Sequence, residues 1–389
     1  MTMRIGIDAR TLSGRYTGDR TYWRGLIGGL AALDDPHEYF LYTRLPVQDP
    51  PPGLDARFQW RTLPAPANDA LWLLAAFPRA LKADSIDVAH TQYNIPLLGA
   101  PCPVVTTVHD ITFALHPEWF LPRDRWILNT FVPRSMRRAC HVIADSESTR
   151  RDILRRYKGR IGDDHVSTIL LAVDAQFAPP PGGQESARAL ANKRLGLDDK
   201  PYVLSVGVLQ PRKNLGTLLD AFALIKLGPH PPPHRLLVVG KRGWLGEDLD
   251  KQVAQLPAAV SEDIVWTGYV PDQDLPALYG GADAFCYPSK YEGFGLPPLE
   301  AMACGCPTLC ARASSLPEVV GDAALLLPAE NSHAWANALE KLLPAPLVQA
   351  RWRERGLARA ALFSWERTAR ATLDVYEHCA LLPKLKGTP

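Results

Sequence analysis

The chain is expected to fold as two doubly wound α/β domains, and three features of the sequence point there. Its 389 residues exceed one ordinary hydrophobic core and suit two domains of roughly 200 residues each. Short apolar runs rich in Val, Ile and Leu alternate with longer helical patterns throughout. Those runs lack strict polar–apolar alternation, as strands covered by helices on both faces should. Strand and helix in repeated alternation give a parallel sheet sandwiched by helices.

In the first half the predicted strands are Arg4–Asp8, Tyr39–Thr43, Val88–His90, Val104–His109 and His141–Ala144. In the second half they are Tyr202–Val206, Arg235–Val239, Ile264–Thr267, Ala284–Tyr287, Thr308–Ala311 and Ala324–Leu327. The break between the sets is expected near Phe177–Gln184, where Pro179-Pro-Pro-Gly-Gly183 carries no periodic pattern and suits a stiff, exposed linker. This divides the chain into residues 1–176 and 177–365. Two further Pro-rich stretches, Pro46–Pro52 and Pro229–Pro233, read as surface loops. From Ser364 through about Leu382 the spacing is helical, with Trp365, Ala369, Leu373, Tyr376 and Ala380 on one face, and the terminal helical segment 366–389 is a candidate to join the first domain. That stripe must be buried, either at the domain joint with a return to the first domain or in the second domain's own core.

Composition narrows the function classes. A formal net charge of +2 provides no global attraction to nucleic acid. The chain enters a strand-like segment at Arg4, which argues against a signal peptide, and its odd count of 7 cysteines points to a reducing cytoplasm. No apolar run approaches the roughly 20 residues of a membrane-spanning helix. Cys304, Cys306 and Cys310 fit no zinc spacing and read as small buried hydrophobes.

Open parallel sheets bind ligands beyond the carboxyl ends of their strands, so the residues there are the candidates. After the strand Ala284–Tyr287 comes a loop with Gly293 and Gly295, then Pro297 and Pro298 at a helix start, with Gly305 and Pro307 ending the helix. Glu300 is therefore expected in the first helical turn, and Glu292 in the loop facing it. A carboxylate so placed can accept paired hydrogen bonds from a vicinal diol. For the pair taken alone, the helix dipole at Glu300 and plain solvation of Glu292 are the favoured explanation. Arg212 and Lys213 follow the strand Tyr202–Val206 and precede a helix that Asn214 could cap, a sound diphosphate site or else an exposed loop pair. His109 ends a strand, with Asp110 to orient it or to cap the next turn, and Asp8 and Asp145 stand at strand ends too. Asp272-Gln-Asp274 reads as a helix cap and not as a metal-binding triplet.

The segment Tyr291-Glu-Gly-Phe-Gly-Leu-Pro-Pro-Leu-Glu300 resembles the Glu-x7-Glu motif of the family-4 retaining glycosyltransferases (glycosyl transferases group 1), which have the two-domain GT-B fold. Further segments resemble the family's other signposts in order: Thr107-Val-His-Asp110, Ala144-Asp-Ser146, Gly207-Val-Leu-Gln-Pro-Arg-Lys-Asn214, Cys304-Gly-Cys-Pro307, and Leu316-Pro-Glu-Val319 with Gly321-Asp-Ala-Ala324. The ordered set covers most of the chain and is far more specific than any one motif.

The resemblance implies two Rossmann-like domains facing each other across a cleft, the first on the acceptor side and the second holding the donor. It implies that Glu292 contacts hydroxyls of the donor sugar and Glu300 the ribose hydroxyls. Gly18, Gly207 and Gly293 line the donor site, and the amides of Phe294, Gly295 and Leu296 approach sugar and phosphates. His109 hydrogen-bonds the donor sugar, and Arg212 with Lys213 neutralises the diphosphate, so no cofactor and no obligatory metal is expected. The implied reaction moves a hexose, mannose or glucose, with retention, from a GDP- or UDP-sugar to a hydroxyl of a carbohydrate or lipid-linked acceptor. Polysaccharide, lipopolysaccharide or glycolipid synthesis is the setting.

One departure stands out in Thr17-Gly-Asp-Arg-Thr-Tyr22, where Arg20 occupies the place of a second glycine. A long cation there alters the pocket or binds an anionic acceptor or phosphate. A nucleotide-sugar epimerase of the same fold would want its own carboxylate and histidine set, which is not found. A dinucleotide oxidoreductase would want Gly-x-Gly-x-x-Gly after the first strand, which is absent. A non-catalytic sugar-nucleotide-binding scaffold shares every donor motif and differs only in turnover. Arg134, Arg137, Arg138, Arg150, Arg151, Arg155, Arg156, Lys158 and Arg160 form a basic run that suits an anionic membrane at the cytoplasmic inner face. A solvated helix face is the favoured alternative, because no apolar anchor is evident.

Overall fold

The computed structural model describes residues 2–14, 18–64, 68–196, 198–241 and 247–382. It contains a seven-stranded sheet in the order β3-β2-β1-β4-β5-β6-β7 and a six-stranded sheet in the order β10-β9-β8-β11-β12-β13. The first comprises β1 (Arg4–Asp8), β2 (Glu38–Thr43), β3 (Phe58–Thr62), β4 (Val88–Gln92), β5 (Val104–Val108), β6 (His141–Ala144) and β7 (Val166–Thr168). The second comprises β8 (Tyr202–Val206), β9 (Arg235–Val239), β10 (Ile264–Gly268), β11 (Ala284–Tyr287), β12 (Thr308–Ala311) and β13 (Leu325–Leu327). Every pairing is parallel. The winding reverses between β1 and β4 in one sheet and between β8 and β11 in the other, the switch points at which such sheets bind ligands.

All the predicted strands are present, and β3 and β7 are additional. Both are edge strands, and both are only partly buried: Phe58-Gln-Trp-Arg-Thr62 mixes polar with apolar residues, and Val166-Ser-Thr168 is three residues long. Edges carry the weakest apolar signal because they need the least burial. The central strands β4, β5 and β6 are buried along their whole length, which is why they lack the polar–apolar alternation of strands with one face in water.

The chain divides into two compact units, Met1–Ala172 with Ser364–Pro389, and Val173–Phe363. The Pro179-Pro-Pro-Gly-Gly183 stretch lies inside the second unit, where the Pro180 ring covers Gly280 so closely that a Cβ there would stand 2.7 Å from its Cγ.

The terminal helix Trp365–Leu381 starts at Ser364, whose hydroxyl accepts the Arg367 amide at 3.2 Å. Its buried face is Thr368, Ala369, Thr372, Leu373, Tyr376 and Cys379, so Cys379 replaces the expected Ala380. That face packs on the helix Gly18–Ala31 and on β4 and β5, all in the first unit, and not in the second domain's core. Residues 383–389 of the expected terminal segment lie outside the described residues.

Two glycines make this contact. A Cβ on Gly25 would stand 2.0 Å from the Trp365 ring, and one on Gly29 would stand 2.3 Å from the Trp365 carbonyl oxygen. Gly25→Ala is therefore expected to cost about 2–3 kcal/mol in urea unfolding through overpacking. Combining it with Trp365→Ala should recover part of that loss, as contacting residues do in a double-mutant cycle.

Candidate functional site

In the second unit the loop after β11 leads into the helix Leu296–Ala303. Gly295 has φ 115°, and a Cβ there would also stand 2.8 Å from Leu316 Cδ2, so glycine is required twice over. The helix begins at Leu296, one residue before the first proline, which moves Glu300 into the second turn instead of the first. The dipole explanation of Glu300 thereby loses its basis, because the effect is confined to the first turn. Glu300 is partly buried and accepts a 2.8 Å hydrogen bond from the Tyr279 hydroxyl. Burial pushes its carboxyl up to about 7, the Tyr279 bond offsetting only part of that.

Glu292 is only 7% exposed, which overturns the solvated reading. Its Oε1 accepts from Lys213 Nζ at 2.6 Å, Ser289 Oγ at 2.6 Å and Tyr287 Oη at 2.9 Å. Its Oε2 accepts from Arg212 Nη1 at 2.6 Å. Burial alone would raise this carboxyl, but the two cations outweigh it and hold it at about 2. The Glu292 amide donates to Ser314 Oγ at 2.7 Å, and the Ser315 hydroxyl spans the carbonyls of Glu292 (2.9 Å) and Phe294 (2.6 Å). The loop is thus fastened through its carbonyls. Among the described residues, the amides of Phe294, Gly295 and Leu296 donate to no protein acceptor. Phe294 itself is buried, edge-on to Phe363 at 6.0 Å.

Arg212 and Lys213 lie in the short 3-10 turn Pro211–Lys213 after β8. Lys213 is 8% exposed, so it is no surface loop residue, and its ammonium also donates to the Tyr287 hydroxyl. Arg212 Nη1 donates in addition to the Tyr291 carbonyl at 3.0 Å. Asn214 does not cap the helix Leu215–Leu227 with its side chain, contrary to expectation. Its amide donates instead to the carbonyls of Pro288 (3.1 Å) and Ala329 (2.7 Å), while its oxygen accepts from the Thr217 hydroxyl at 3.1 Å. Asn214 therefore ties the cation turn to the loop that carries Glu292. Gly207 has φ 151°, and the Lys213 side chain passes 3.5 Å from where its Cβ would be. Ser205, Gly207, Lys213, Leu215 and Tyr287 line a small pocket here. The structure thus brings Gly207, Arg212, Lys213, Glu292, Gly293, Phe294, Gly295, Leu296 and Glu300 to the carboxyl ends of β8 and β11.

Asp274 stands at the N-cap of the helix Leu275–Gly281 but makes no capping bond, because its carboxylate pairs with Arg194. Cys304, Cys306 and Cys310 are buried. Among the described residues no group of three or more His, Cys, Asp or Glu side chains could hold a metal ion.

In the first unit His109 follows β5 directly. Its Nδ1 lies 2.5 Å from Asp145 Oδ2, and its Nε2 lies 3.0 Å from the Gln92 side-chain amide and 3.7 Å from Asp19 Oδ1. Tyr22 and Tyr93 stand edge-on to the imidazole at 5.0 and 5.4 Å. Burial would lower this histidine, but Asp145 and then Asp19 and Asp110 outweigh it and raise it to about 9. Asp145 is the residue that orients His109. Asp110 caps the next turn, accepting the Thr112 amide at 2.9 Å. Asp8 pairs with Arg10 at 3.5 Å. Gly18 opens the helix Gly18–Ala31 with nothing within 4 Å of where a Cβ would stand, while Thr17 lies outside the described residues. Arg20 is buried and pairs with Asp49 at 3.5 Å, sharing it with Arg24 at 2.8 Å. The partners Tyr279, Tyr287, Ser289, Ser315 and Gln92 were not singled out from the sequence.

Comparison with known proteins agrees with this geometry. The model for Glycosyltransferase Family 4 matches residues 17–177, and that for Glycosyl transferases group 1 matches residues 188–359. O-antigen chain mannosyltransferase B of Escherichia coli is 36% identical over 279 residues, covering 70% of each chain. Serotype-specific mannosyltransferase WbdA of Escherichia coli is 31% identical over 286 residues, 72% of this chain, which spans 34% of that protein's length. Sucrose-phosphate synthase from Thermosynechococcus elongatus superposes with TM-score 0.74 at 23% identity, over 97% of this chain and 98% of that one. Anabaena HepE, solved with UDP and glucose, gives 0.73 at 20% identity, over 97% and 100%. Those structural likenesses establish the GT-B fold, and the match of a family model over each unit, with the identity to the O-antigen enzyme, shows that the chain belongs to the family-4 glycosyltransferases (glycosyl transferases group 1).

Proposed function

We propose that this glycosyltransferase moves mannose, with retention, from a nucleoside-diphosphate donor to an acceptor hydroxyl in the synthesis of a polysaccharide, lipopolysaccharide or glycolipid in the cytoplasm. The observation that carries this reading is the buried Glu292 carboxylate held by Arg212 and Lys213 beside three amides without protein acceptors. Two cations and a row of amide donors suit a diphosphate, whose negative charge grows as the glycosidic bond breaks. The bonding electrons leave with the diphosphate, which Arg212 and Lys213 stabilise. The acceptor attacks from the same face, and a phosphate oxygen takes its proton. Glu292, ionised, receives sugar hydroxyls; Glu300 receives the ribose diol; protonated His109 donates to the sugar. Positioning and charge stabilisation supply the acceleration. Mannose is favoured over glucose because O-antigen chain mannosyltransferase B, 36% identical over 70% of each chain, and WbdA, 31% identical, are named mannosyltransferases.

The test is thermal unfolding with GDP-mannose, UDP-glucose and ADP-glucose in turn. GDP-mannose is expected to stabilise the protein by about 2.7 kcal/mol at a hundred times its Kd. If none of the three shifts the midpoint, the donor assignment fails. Glu300→Gln should abolish most of that shift while stabilising the free protein at alkaline pH. The sign follows from the raised carboxyl. Its favourable contribution is complete below 4.5 and disappears as pH rises through about 7, where a buried charge must form. The variant should therefore gain about 1 kcal/mol over wild type above pH 7 and nothing below pH 5.

A further inference from the structure

We propose, resting on the reading that brings the donor sugar to His109, that the Asp19 carboxylate holds the acceptor and that this acceptor is an uncharged saccharide. Arg20, standing where a second glycine is expected, is not the residue that meets it. Successive residues of a helix project about 100° apart, so Asp19 and Arg20 cannot serve one surface. Arg20 turns inward: it is 6% exposed and lies 3.5 Å from Asp49, which Arg24 also holds at 2.8 Å. Arg24 donates in addition to the carbonyls of Asp49 and Pro50, both at 3.2 Å. The two cations therefore fasten the helix Gly18–Ala31 to the Pro46–Pro52 loop.

Asp19 turns the other way. Its side chain is 45% exposed, and its Oδ1 lies 3.7 Å from His109 Nε2, the nitrogen that Asp145 does not hold. The Asp19 carbonyl accepts from the Gln92 side-chain amide at 3.1 Å, and the same amide stands 3.0 Å from His109 Nε2. The start of the helix is thus fixed against the histidine. Among the described residues nothing lies within 4 Å of where a Cβ on Gly18 would stand, so the space next to Asp19 in the chain is open. The helix dipole favours an acid in the first turn, but it does not require one within reach of His109 Nε2.

The chemistry of this corner suits hydroxyls and not anions. An ionised carboxylate only accepts hydrogen bonds, and a saccharide offers it hydroxyl donors. Glu292 and Glu300, both in the second unit, are taken up by the donor, which leaves Asp19 for the other substrate. Asp145 at 2.5 Å, Asp19 at 3.7 Å and the more distant Asp110 act on a single imidazolium. A phosphate or carboxylate on the acceptor would meet that excess of negative charge and be turned away.

Transfer assays on the full chain test this, with whichever of the three nucleotide sugars stabilises the protein as donor. Methyl α-D-mannoside and its 6-phosphate serve as acceptors. Wild type should use the neutral glycoside at least about tenfold better in kcat/KM. Asp19→Asn is assayed at mildly acidic pH, where His109 keeps its proton. It should raise the KM for the neutral glycoside about tenfold or more, the size of a lost hydrogen bond to a charged group. Its midpoint shift with the nucleotide sugar should persist. Asp19→Lys should narrow or invert the preference, whereas Arg20→Met should lower the thermal midpoint and leave the preference unchanged. The proposal is overturned if wild type uses the phosphorylated glycoside equally well, or uses neither. An unchanged acceptor KM in Asp19→Asn, or a preference lost in Arg20→Met, overturns it too. Loss of the midpoint shift in Asp19→Asn would assign the carboxylate to the donor instead. A wild type that no nucleotide sugar stabilises removes the donor reading and this one together, while a shift without the neutral preference removes this one alone.

Discussion

Glu292→Gln is expected to lower sugar transfer by about 10²–10³-fold, the size of a lost electrostatic contact at the reaction centre, and to destabilise the second unit by about 3 kcal/mol, the lower end for a broken buried ion pair. The stability loss does not measure the worth of the pair. It reflects Lys213, 8% exposed, left without its counter-charge. Adding Lys213→Met removes the stranded cation, so the double variant should regain most of its stability in urea and none of its activity. If activity returned with stability, Glu292 would be a structural residue and the donor site would lie elsewhere. The acid limb carries a second signature. A carboxyl depressed to about 2 contributes stability that is complete above 4.5 and lost as pH falls through about 2. Wild type should therefore lose stability through that window, and Glu292→Gln should be flat there in comparison.

The second large effect is on the pH profile. With Asp145 in place, His109 is raised to about 9 and carries a proton at neutral pH. Asp145→Asn keeps the shape and removes the charge, so burial is opposed only by the more distant Asp19 and Asp110. The alkaline limb of kcat/KM should move from about 9 to near or below neutrality. At pH 8 the loss should be about tenfold or more, the lower range for a misprotonated catalytic group, and it should shrink as pH is lowered. The stability linkage has the same sign, since the favourable term is complete below 6.5 and is lost as pH rises through about 9. A uniform loss at all pH values would instead mean that Asp145 serves packing alone.

What could be read from the sequence follows burial. Strands covered on both faces leave continuous apolar runs, and the central strands of both sheets were legible to within a residue or two. Edges such as Val166–Thr168 bury too little to leave a trace. At the site, spacing located the loop and helix around Glu292 and Glu300, and the ordered resemblance gave them a ligand. Spacing could not tell which turn Glu300 occupies, because Pro297 and Pro298 are tolerated at any of the first positions. Nor could it choose between Asp110 and Asp145 for His109, since that choice is made by β5 and β6 lying side by side. Asn214 shows the same limit from another side. A residue type suited to capping was used to bridge two loops from distant parts of the chain.

The return of the terminal helix to the first unit also orders events during synthesis. Residues Val173–Phe363 emerge from the ribosome between the two pieces of the first unit. The second unit can therefore be complete while Gly25 and Gly29 still wait for Trp365. Until that helix arrives, the groove on Gly18–Ala31 and the buried His90, which Tyr376 contacts at 2.5 Å, stay open to water. A chain cut short before Ser364 would thus keep the buried cluster of Glu292, Arg212 and Lys213 in the second unit and leave the first unit incomplete. Such a product should bind nucleotide yet present itself to chaperones and proteases as unfinished.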